Sequence, residues 1–296
     1  MHILMTGGTG LIGTASCAAL HALGHKLTIL TRRARPAGPK ATFITALADC
    51  AEPVDAVINL AGAGLADRRW SSAYKQEIVS SRVDLTRELV AWLGELEQAP
   101  KRLISASAIG YYGAAKEQTF VEASEPGTGF SAELCQSWEE EAVGAAAYGT
   151  QVNLLRFGVV LAREGGALGK MTQSFHLGVE SWLGSGEQWL SWIHLNDVVR
   201  VIQHVLDSDH PASVYNTVAP EPARHREFAH EAGRQSKIWL KLGVPALAAR
   251  VMAGEMAKEL LLSGQRVLPA QLLEDGFQFH YPNLKEALAD LMPRKG

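Results

Sequence analysis

The chain has 296 residues, of which 47% are hydrophobic and 20% charged, and its formal net charge is -3. This length is enough for one large domain or two smaller ones. The slightly negative charge gives no electrostatic reason to expect nucleic acid or an anionic membrane as a partner.

Cysteine and histidine usage predicts neither a disulfide framework nor a metal site. Cys17, Cys50 and Cys135 lie far apart without a C-x-x-C pair, and the ten histidines include no H-E-x-x-H. The first predicted strand starts at residue 2, which leaves no room for a signal peptide, and there is no apolar run of about 18 residues. We therefore expect a cytoplasmic protein.

The first thirty residues have the pattern of a nucleotide-binding βαβ unit. An apolar strand over residues 2–6 runs into a glycine turn, and a helix with one apolar face follows until Gly24. Gly7, Gly10 and Gly13 fit G-x-x-G-x-x-G, and an alternative match, G-x-G-x-x-G, starts at Gly8. Such glycines allow a tight turn, close approach of a pyrophosphate and close helix packing. The predicted dinucleotide contacts are Gly7, Gly10, Leu11, Ile12 and Gly13, at a helix N-terminus with free N–H groups.

Strands and helices continue to alternate through the first half. Strands are predicted at residues 27–30, 55–60, 103–107 and 152–157, and helices at about 72–96 and 131–147, the former capped by Ser71 or Ser72. Between residues 41 and 53 only Phe43 and Ile44 form an apolar piece, so the usual helix is abbreviated there. This alternation predicts an α/β fold with a Rossmann-type doubly wound parallel sheet.

The regular alternation of strands and helices ends after residue 157. Glycine-punctuated loops precede a clean helix that begins near residue 198, with Asn196 or Asp197 as its cap, and residues after 224 are mostly helical. We expect a Rossmann domain of residues 1–157, to which residues 191–223 return. Residues 158–190 and 224–296 are predicted to form a smaller, mostly helical substrate lobe.

The residues that follow the second strand predict the choice of cofactor. An acid about 20 positions beyond the glycines would bond the ribose hydroxyls of NAD, whereas arginine suits the 2′-phosphate of NADP. This chain has Thr31, Arg32 and Arg33 there, and no acid before Asp49. The sequence therefore favours NADP(H), with Thr31 and Arg32 as contacts; the alternative is a solvated basic loop.

Motifs along nearly the whole chain resemble the extended short-chain dehydrogenase/reductases. More narrowly, the chain is similar to their atypical branch, described as NAD-dependent epimerase/dehydratase-like or as nucleoside-diphosphate-sugar epimerases. The resemblance rests on residues 6–13 (TGGTGLIG), 58–62 (INLAG), 69–70 (RW), 81–82 (SR), 105–113 (SASAIGYYG), 133–139 (ELCQSWE), 155–160 (LRFGVV) and 192–197 (WIHLND).

The resemblance implies a Rossmann domain that binds NAD(P), a C-terminal substrate lobe and further site residues. The backbone of Leu60, Ala61 and Gly62 would flank the adenine and ribose, and Val159 would contact the nicotinamide amide. Glu77 and Arg82 would lie on a helix lining the cofactor groove, with a solvated helix face as the competing interpretation. Ser107 matches a catalytic serine, or it is only a strand-end serine.

One departure from the family pattern affects the chemistry. Members that move a hydride use Tyr-x-x-x-Lys, in which the tyrosine is the acid/base. Here Phe130 and Leu134 stand at the corresponding positions, and neither can titrate. Tyr111 and Tyr112 are the nearest titratable aromatic groups, although such residues more often pack under a loop.

Two functions remain open at this point. The first is an NADP-dependent oxidoreductase or epimerase-like enzyme that acts on a carbonyl or secondary alcohol of a small substrate, with sugars among the candidates, and in which Ser107 orients the reacting oxygen. The second is an NADP(H)-binding protein without turnover that serves a regulatory or interaction role. The sequence predicts neither the substrate nor the oligomeric state.

Overall fold

Short parallel strands form the framework of the molecule. The computed structural model describes residues 1–36, 38, 40–115 and 117–293. Its strands are β1 (His2–Thr6), β2 (Lys26–Leu30), β3 (Thr42–Ile44), β4 (Ala56–Asn59), β5 (Arg102–Ala108), β6 (Thr119–Phe120), β7 (Gln151–Phe157), β8 (Val159–Leu161), β9 (Val179–Leu183), β10 (Trp189–Leu190), β11 (Trp192–His194), β12 (Val214–Thr217), β13 (Ala223–Arg224), β14 (Leu240–Val244) and β15 (Arg266–Val267).

The helices follow the same alternation. They are α1 (Leu11–Ala22), α2 (Ser72–Val79), α3 (Leu85–Glu95), α4 (Phe130–Val143), α5 (Gly166–Met171), α6 (Leu195–Asp207), α7 (His225–Gly233), α8 (Ala246–Ala253), α9 (Ala270–Glu274) and α10 (Leu284–Leu291). A π-helical turn, Ser80–Asp84, joins α2 to α3 into one rod, and a second π turn, Ala257–Leu261, follows α8. In the described ranges, no helix is both long and apolar enough to cross a membrane.

Seven strands make the central sheet, in the order β12-β7-β5-β4-β1-β2-β3, and all their pairings are parallel. The inner strands are buried on both faces, as Ile3, Leu4 and Met5 of β1 show, each with no exposed surface. Such strands occur where helices cover both sides of a sheet. The predicted Rossmann-type doubly wound fold is confirmed.

Alternation along the strands divides the core between the two faces. Leu4, Val57 and Leu103 pack with α3 and with the end of α4. On the opposite face Ile3, Ile58 and their neighbours pack with α1 and α6. The helices therefore run back from the carboxyl edge of the sheet, and the loops at that edge are left to build a site.

Several local predictions hold and others need correction. Ser71 caps α2, with its hydroxyl accepting the N–H of Tyr74 at 3.2 Å. The segment after β2 contains a full edge strand, β3, paired with β2. The cap predicted for α6 was wrong, because His194 occupies that position and its Nδ1 accepts the N–H of Asn196 at 3.0 Å.

Asp197, one of the two predicted caps, has a different partner. Its carboxylate is fully buried and accepts the backbone N–H groups of His280 and Tyr281 at 2.8 and 2.9 Å. It therefore fastens the C-terminal segment to α6. Within α6 the same carboxylate accepts from Arg200 Nη1 at 3.2 Å. A buried carboxylate needs such donors.

The C-terminal residues do not all lie apart from the sheet. β9 and β14 form a parallel pair, and α7 packs against β9, which gives the predicted lobe strands as well as helices. However, α9 packs beside β12, and Leu272 and Phe277 belong to the main core. Part of the segment 224–296 therefore lies on the Rossmann sheet, while the predicted domain division as a whole stays a prediction.

Candidate functional site

The glycine turn after β1 is built without room for side chains. Gly7 has a φ of 67°, and a Cβ there would lie 2.5 Å from the carbonyl carbon of Leu60. A Cβ on Gly13 would lie 2.2 Å from the carbonyl oxygen of Gly7. The first turn of α1 is thereby packed directly against the ends of β1 and β4.

The start of α1 is open to a ligand. Gly10 is its N-cap and supplies no side chain to the N–H groups of the first turn, which include those of Leu11, Ile12 and Gly13. By contrast, Ser71 caps α2. Because unsatisfied N–H groups and the helix dipole favour an anion, this turn suits a phosphate.

Residues 60–63 follow β4 and lie between the glycine turn and the π-helical turn Ser80–Asp84. The N–H of Ala61 donates to Thr6 Oγ1 at 3.2 Å, and Arg82 Nη2 donates to the carbonyl of Ala63 at 2.8 Å. A Cβ on Gly62 would lie 2.7 Å from the guanidinium carbon of Arg82. The structure therefore brings together the predicted contacts Leu60, Ala61, Gly62 and Arg82 beside the glycine turn.

Arg82 places a positive charge in this groove. Within the described part of the chain no carboxylate pairs with it; its hydrogen bonds go to main-chain carbonyls, and its guanidinium carbon lies 5.3 Å from the ring centre of Trp138. Burial lowers the pKa of Arg82. A largely buried cation without an opposite charge is costly, and an anionic ligand would offset that cost.

The basic loop lies at the carboxyl end of β2. Arg32 and Arg33 are exposed, and neither forms an ion pair with any described residue. Thr31 Oγ1 donates to the carbonyl of Arg33 at 2.5 Å and so shapes the turn. Asp49, the first acid after β2, accepts the N–H of Ala46 in its own 3₁₀ turn.

Other predicted cofactor contacts are placed less favourably. Glu77 pairs with Arg68 at 3.0 Å on the exposed side of α2. Val159 begins β8, pairs with Trp192 of β11 and donates its N–H to the carbonyl of Ser191 at 2.9 Å, so its backbone is engaged in the strand pair. Leu11 packs against the turn after β8, where a Cβ on Gly166 would lie 2.9 Å from it.

Ser107 is part of a buried charged network. Its hydroxyl donates to Glu139 Oε1 at 2.5 Å, and Glu139 forms a two-pronged ion pair with Arg156, with both N–O distances at 2.8 Å. Ser107, Glu139 and Arg156 are 2%, 7% and 4% exposed. Since its proton is committed to Glu139, Ser107 can only accept a hydrogen bond from a ligand.

Tyr112 belongs to the same network. Its hydroxyl donates to Asn216 Oδ1 at 2.6 Å and accepts from Arg156 Nη1 at 2.9 Å. Burial raises the pKa of Tyr112, and the ring is 2% exposed. Tyr111 lies with its ring centre 3.5 Å from the guanidinium carbon of Arg156. Tyr112 is therefore packed beneath its loop, as the alternative interpretation held.

Sequence reasoning missed this network, although one signal for it was available. Arg156 is the one charged residue of the strand Gln151–Phe157, and a charge in a buried strand requires a partner. Its partner Glu139 could not be found from spacing, because it lies on a helix 17 residues earlier. Burial by itself would lower the pKa of Arg156, but its hydrogen bonds to Glu139 and the charge of Glu139 outweigh that effect and raise it.

The start of α4 carries a second missed feature. Glu259, from the π turn after α8, accepts the N–H groups of Phe130 and Ser131 at 3.1 and 2.9 Å and the Ser131 hydroxyl at 2.6 Å. A C-terminal carboxylate thus caps the helix that begins at Phe130 and carries Leu134. Nearby, burial raises the pKa of the Cys135 thiol to about 11, so it is an inert thiol at neutral pH.

The described residues contain no group of three or more His, Cys, Asp or Glu side chains that could hold a metal ion. The arrangement at the carboxyl edge instead combines a glycine turn, an open helix start and unpaired arginines. These features are those of a dinucleotide site.

Comparison with known proteins agrees with this geometry. The model of the NAD dependent epimerase/dehydratase family matches residues 3–217, and a domain of unknown function, DUF1731, matches residues 244–291. The chain therefore belongs to the NAD-dependent epimerase/dehydratase family.

Particular relatives cover the whole chain. Epimerase family protein Mb2239 of Mycobacterium bovis is 40% identical over 99% of this chain and 98% of its own length. The crystal structure of human epimerase family protein SDR39U1 (isoform 2) with NADPH has a TM-score of 0.90 and 32% identity, and covers 100% of both chains. A nucleoside-diphosphate sugar epimerase from Corynebacterium glutamicum has a TM-score of 0.79 and 29% identity over 100% of this chain and 59% of its own.

Proposed function

We propose that this protein binds NADP(H) across the carboxyl edge of its sheet and acts as an oxidoreductase or epimerase-like enzyme. Its substrate would be a small molecule with a carbonyl or secondary alcohol, and sugars belong to that class. The observation that carries the proposal is the glycine turn, which has no room for a Cβ at Gly7 or Gly13 and leaves the start of α1 uncapped.

Two observations support NADP(H) over NAD(H). Arg32 and Arg33 are exposed at the end of β2 and are without ion-pair partners among the described residues. Arginine binds phosphate through two parallel hydrogen bonds and keeps its charge. In addition, a human relative with 32% identity was crystallised with NADPH.

The cofactor proposal is tested by measuring the affinity of NADPH and NADH for Arg32→Ala and Arg33→Ala. Loss of one charge-assisted contact costs about 1.5–3 kcal/mol, or about 10–100-fold in affinity. We expect one of the two variants to lose NADPH affinity by that factor while NADH affinity stays unchanged. If neither variant changes the ratio of the two affinities, the preference for NADP(H) is refuted.

Different residues would bind the phosphates, the adenosine and the substrate. The N–H groups of Leu11, Ile12 and Gly13 and the charge of Arg82 would hold the phosphates, and residues 60–62 would flank the adenosine. Glu77 is tied to Arg68 and would contribute only if that pair opened. The bound dinucleotide would supply or accept a hydride at the substrate carbon. Ser107 would accept a hydrogen bond from a substrate hydroxyl, since its own proton is held by Glu139.

A second function is favoured by the burial of the predicted catalytic groups. Ser107 and Tyr112 are each 2% exposed with their hydroxyls engaged, and Phe130 and Leu134 cannot titrate. A protein that binds NADP(H) without turnover, and presents a nucleotide-dependent surface to a partner, would need no proton donor. The family membership and the retained lobe favour the enzyme.

NADPH deuterated at its transferable C4 position distinguishes the two. The protein is incubated with it and with small-molecule extracts from its native cells grown under several conditions, and deuterium is followed by mass spectrometry. Transfer of the label to a metabolite supports the enzyme and identifies the substrate. Bound NADPH that keeps its label with every extract supports the non-catalytic role.

A further inference from the structure

An enzyme of the proposed kind needs a group that exchanges a proton with the substrate oxygen. The hydroxyls of Ser107 and Tyr112 are buried and hydrogen-bonded to other side chains. The thiol of Cys135 is 3% exposed, and burial raises its pKa. Side chains of α2 that lie beside the first residue of α4 are a further source of that proton.

Lys75 is a titratable side chain in that position. Its ammonium nitrogen lies 4.7 Å from the ring centre of Phe130, the first residue of α4, and 5.9 Å from that of Trp70. The two rings meet edge to face with centres 5.0 Å apart. They form an aromatic corner that fixes the direction of the lysine side chain, since a cation is attracted to the face of a ring.

Lys75 lies in the middle of α2, and Arg82 lies seven residues later, in the π-helical turn Ser80–Asp84 of the same rod. Their neighbours on α4 show how the two side chains are placed. Arg82 meets Trp138 of α4 just as Lys75 meets Phe130, two turns nearer the helix start. Arg82 marks the level of Gly62 and the cofactor groove, and Lys75 lies beyond it, on the side of the C-terminal segment.

Residues 254–259 of the C-terminal segment contact both α2 and the start of α4. Glu255 pairs with Lys75 at 2.5 Å, and Glu259 of the same segment caps α4 at Phe130. Arg69 lies against Gly254, where a Cβ would be 3.2 Å from its Nε. Lys75 is thus placed where the Rossmann domain and the C-terminal segment meet, which is where a substrate between them would sit.

The Lys75–Glu255 pair is accessible to water. The two side chains are 27% and 45% exposed, so water reaches both, in contrast to the Ser107 network. An ion pair at this exposure contributes little to stability and can open for a ligand. The carboxylate of Glu255 positions the ammonium group of Lys75, and the ammonium group keeps N–H groups that can donate to a ligand.

We propose that Lys75 is the proton donor to the substrate oxygen; this inference rests on the proposed enzymatic function. During reduction the carbon–oxygen π bond breaks, a C–H bond forms with the hydride that the dinucleotide supplies, and an N–H proton of Lys75 moves to the oxygen to form the hydroxyl. The neutral amine then regains a proton from water. In the oxidative direction the neutral amine accepts the hydroxyl proton. Glu255 is a positioning residue that acts through Lys75.

The experiment measures single-turnover transfer of deuterium from C4-labelled NADPH to the acceptor found in the native-cell extract, for Lys75→Met and Lys75→Arg. Loss of a general acid slows transfer by about 10²–10⁴-fold. We expect that loss in both variants, because arginine keeps the ion pair and the fold but stays protonated. NADPH affinity, measured by fluorescence titration, should stay within about twofold of wild type, since Lys75 lies beyond the cofactor groove.

Lys26→Met is the matched control, because Lys26 also pairs with a carboxylate, that of Glu52, but lies at the start of β2. It should transfer label at the wild-type rate. Wild-type transfer by Lys75→Met would overturn the role of Lys75 and leave the proposed function standing. A parallel loss of NADPH affinity in both Lys75 variants would also overturn it, by making Lys75 a cofactor contact. Absence of transfer by the wild-type protein with every extract would overturn both proposals together.

Discussion

Replacing Glu139 by leucine removes the carboxylate that Arg156 and Ser107 share in the protein interior. The ion pair has side-chain exposures of 5% and 9% and two N–O contacts of 2.8 Å. In Glu139→Leu the guanidinium would stay buried without an opposite charge, and the hydroxyl of Ser107 would lose its acceptor. Breaking a buried pair from one side costs about 3–5 kcal/mol.

That cost is a large part of a total stability of about 5–15 kcal/mol. The loss of unfolding free energy arises because one charge is left buried without its partner, whereas the intact pair itself stabilises the fold only slightly. Removing both partners should therefore cost much less. We therefore expect Glu139→Leu and Arg156→Met each to lose about 3–5 kcal/mol, and the double variant to lose less than either single variant.

Urea unfolding followed by circular dichroism and by tryptophan fluorescence measures these differences. The control is Arg87→Ala, which breaks the solvent-accessible pair between Arg87 of α3 and Glu141 of α4, the helix that also carries Glu139. It should cost less than about 1 kcal/mol. Additive losses in the double variant, or a single Glu139→Leu loss as small as that of Arg87→Ala, would refute the reasoning.

Two further predictions concern the glycine turn and a buried acid. Gly13→Ala should weaken NADPH binding by on the order of 100-fold, about 3 kcal/mol, because its Cβ would lie 2.2 Å from a backbone oxygen. Gly169→Ala, with nothing within 4 Å, should bind NADPH normally; equal affinities in a fluorescence titration would count against the proposed turn geometry. Burial raises the pKa of Glu122, and its Oε2 is buried without a partner in the described structure. A raised folded-state pKa gives stability below the unfolded pKa that is lost as pH rises through the folded value. Glu122→Gln should therefore be more stable than wild type at pH 8, with a gap that closes towards about pH 4, and a pH-independent gap in urea midpoints would contradict this.

Local signals were sufficient to predict most of the framework. The glycine turn, the apolar strands and the cap at Ser71 depend on contacts within a few residues, and each stands where its pattern placed it. The cap of α6 was mispredicted because Asp197 is held by residues 280 and 281, more than 80 positions away. A capping rule that uses neighbouring residues has no access to such a competitor.

The sequence by itself determined the Rossmann sheet and the place of the dinucleotide turn, because periodicity and glycine spacing are local properties. Only the tertiary structure decided which side chains are free to act. The hydroxyl of Ser107 donates to Glu139, and Glu259 caps α4. Lys75 pairs with Glu255 and lies beside the ring of Phe130. These partners are between 32 and 180 residues apart in the chain. They meet because helices and strands pack, and the free energy of burying a charge selects the partner that packing brings near.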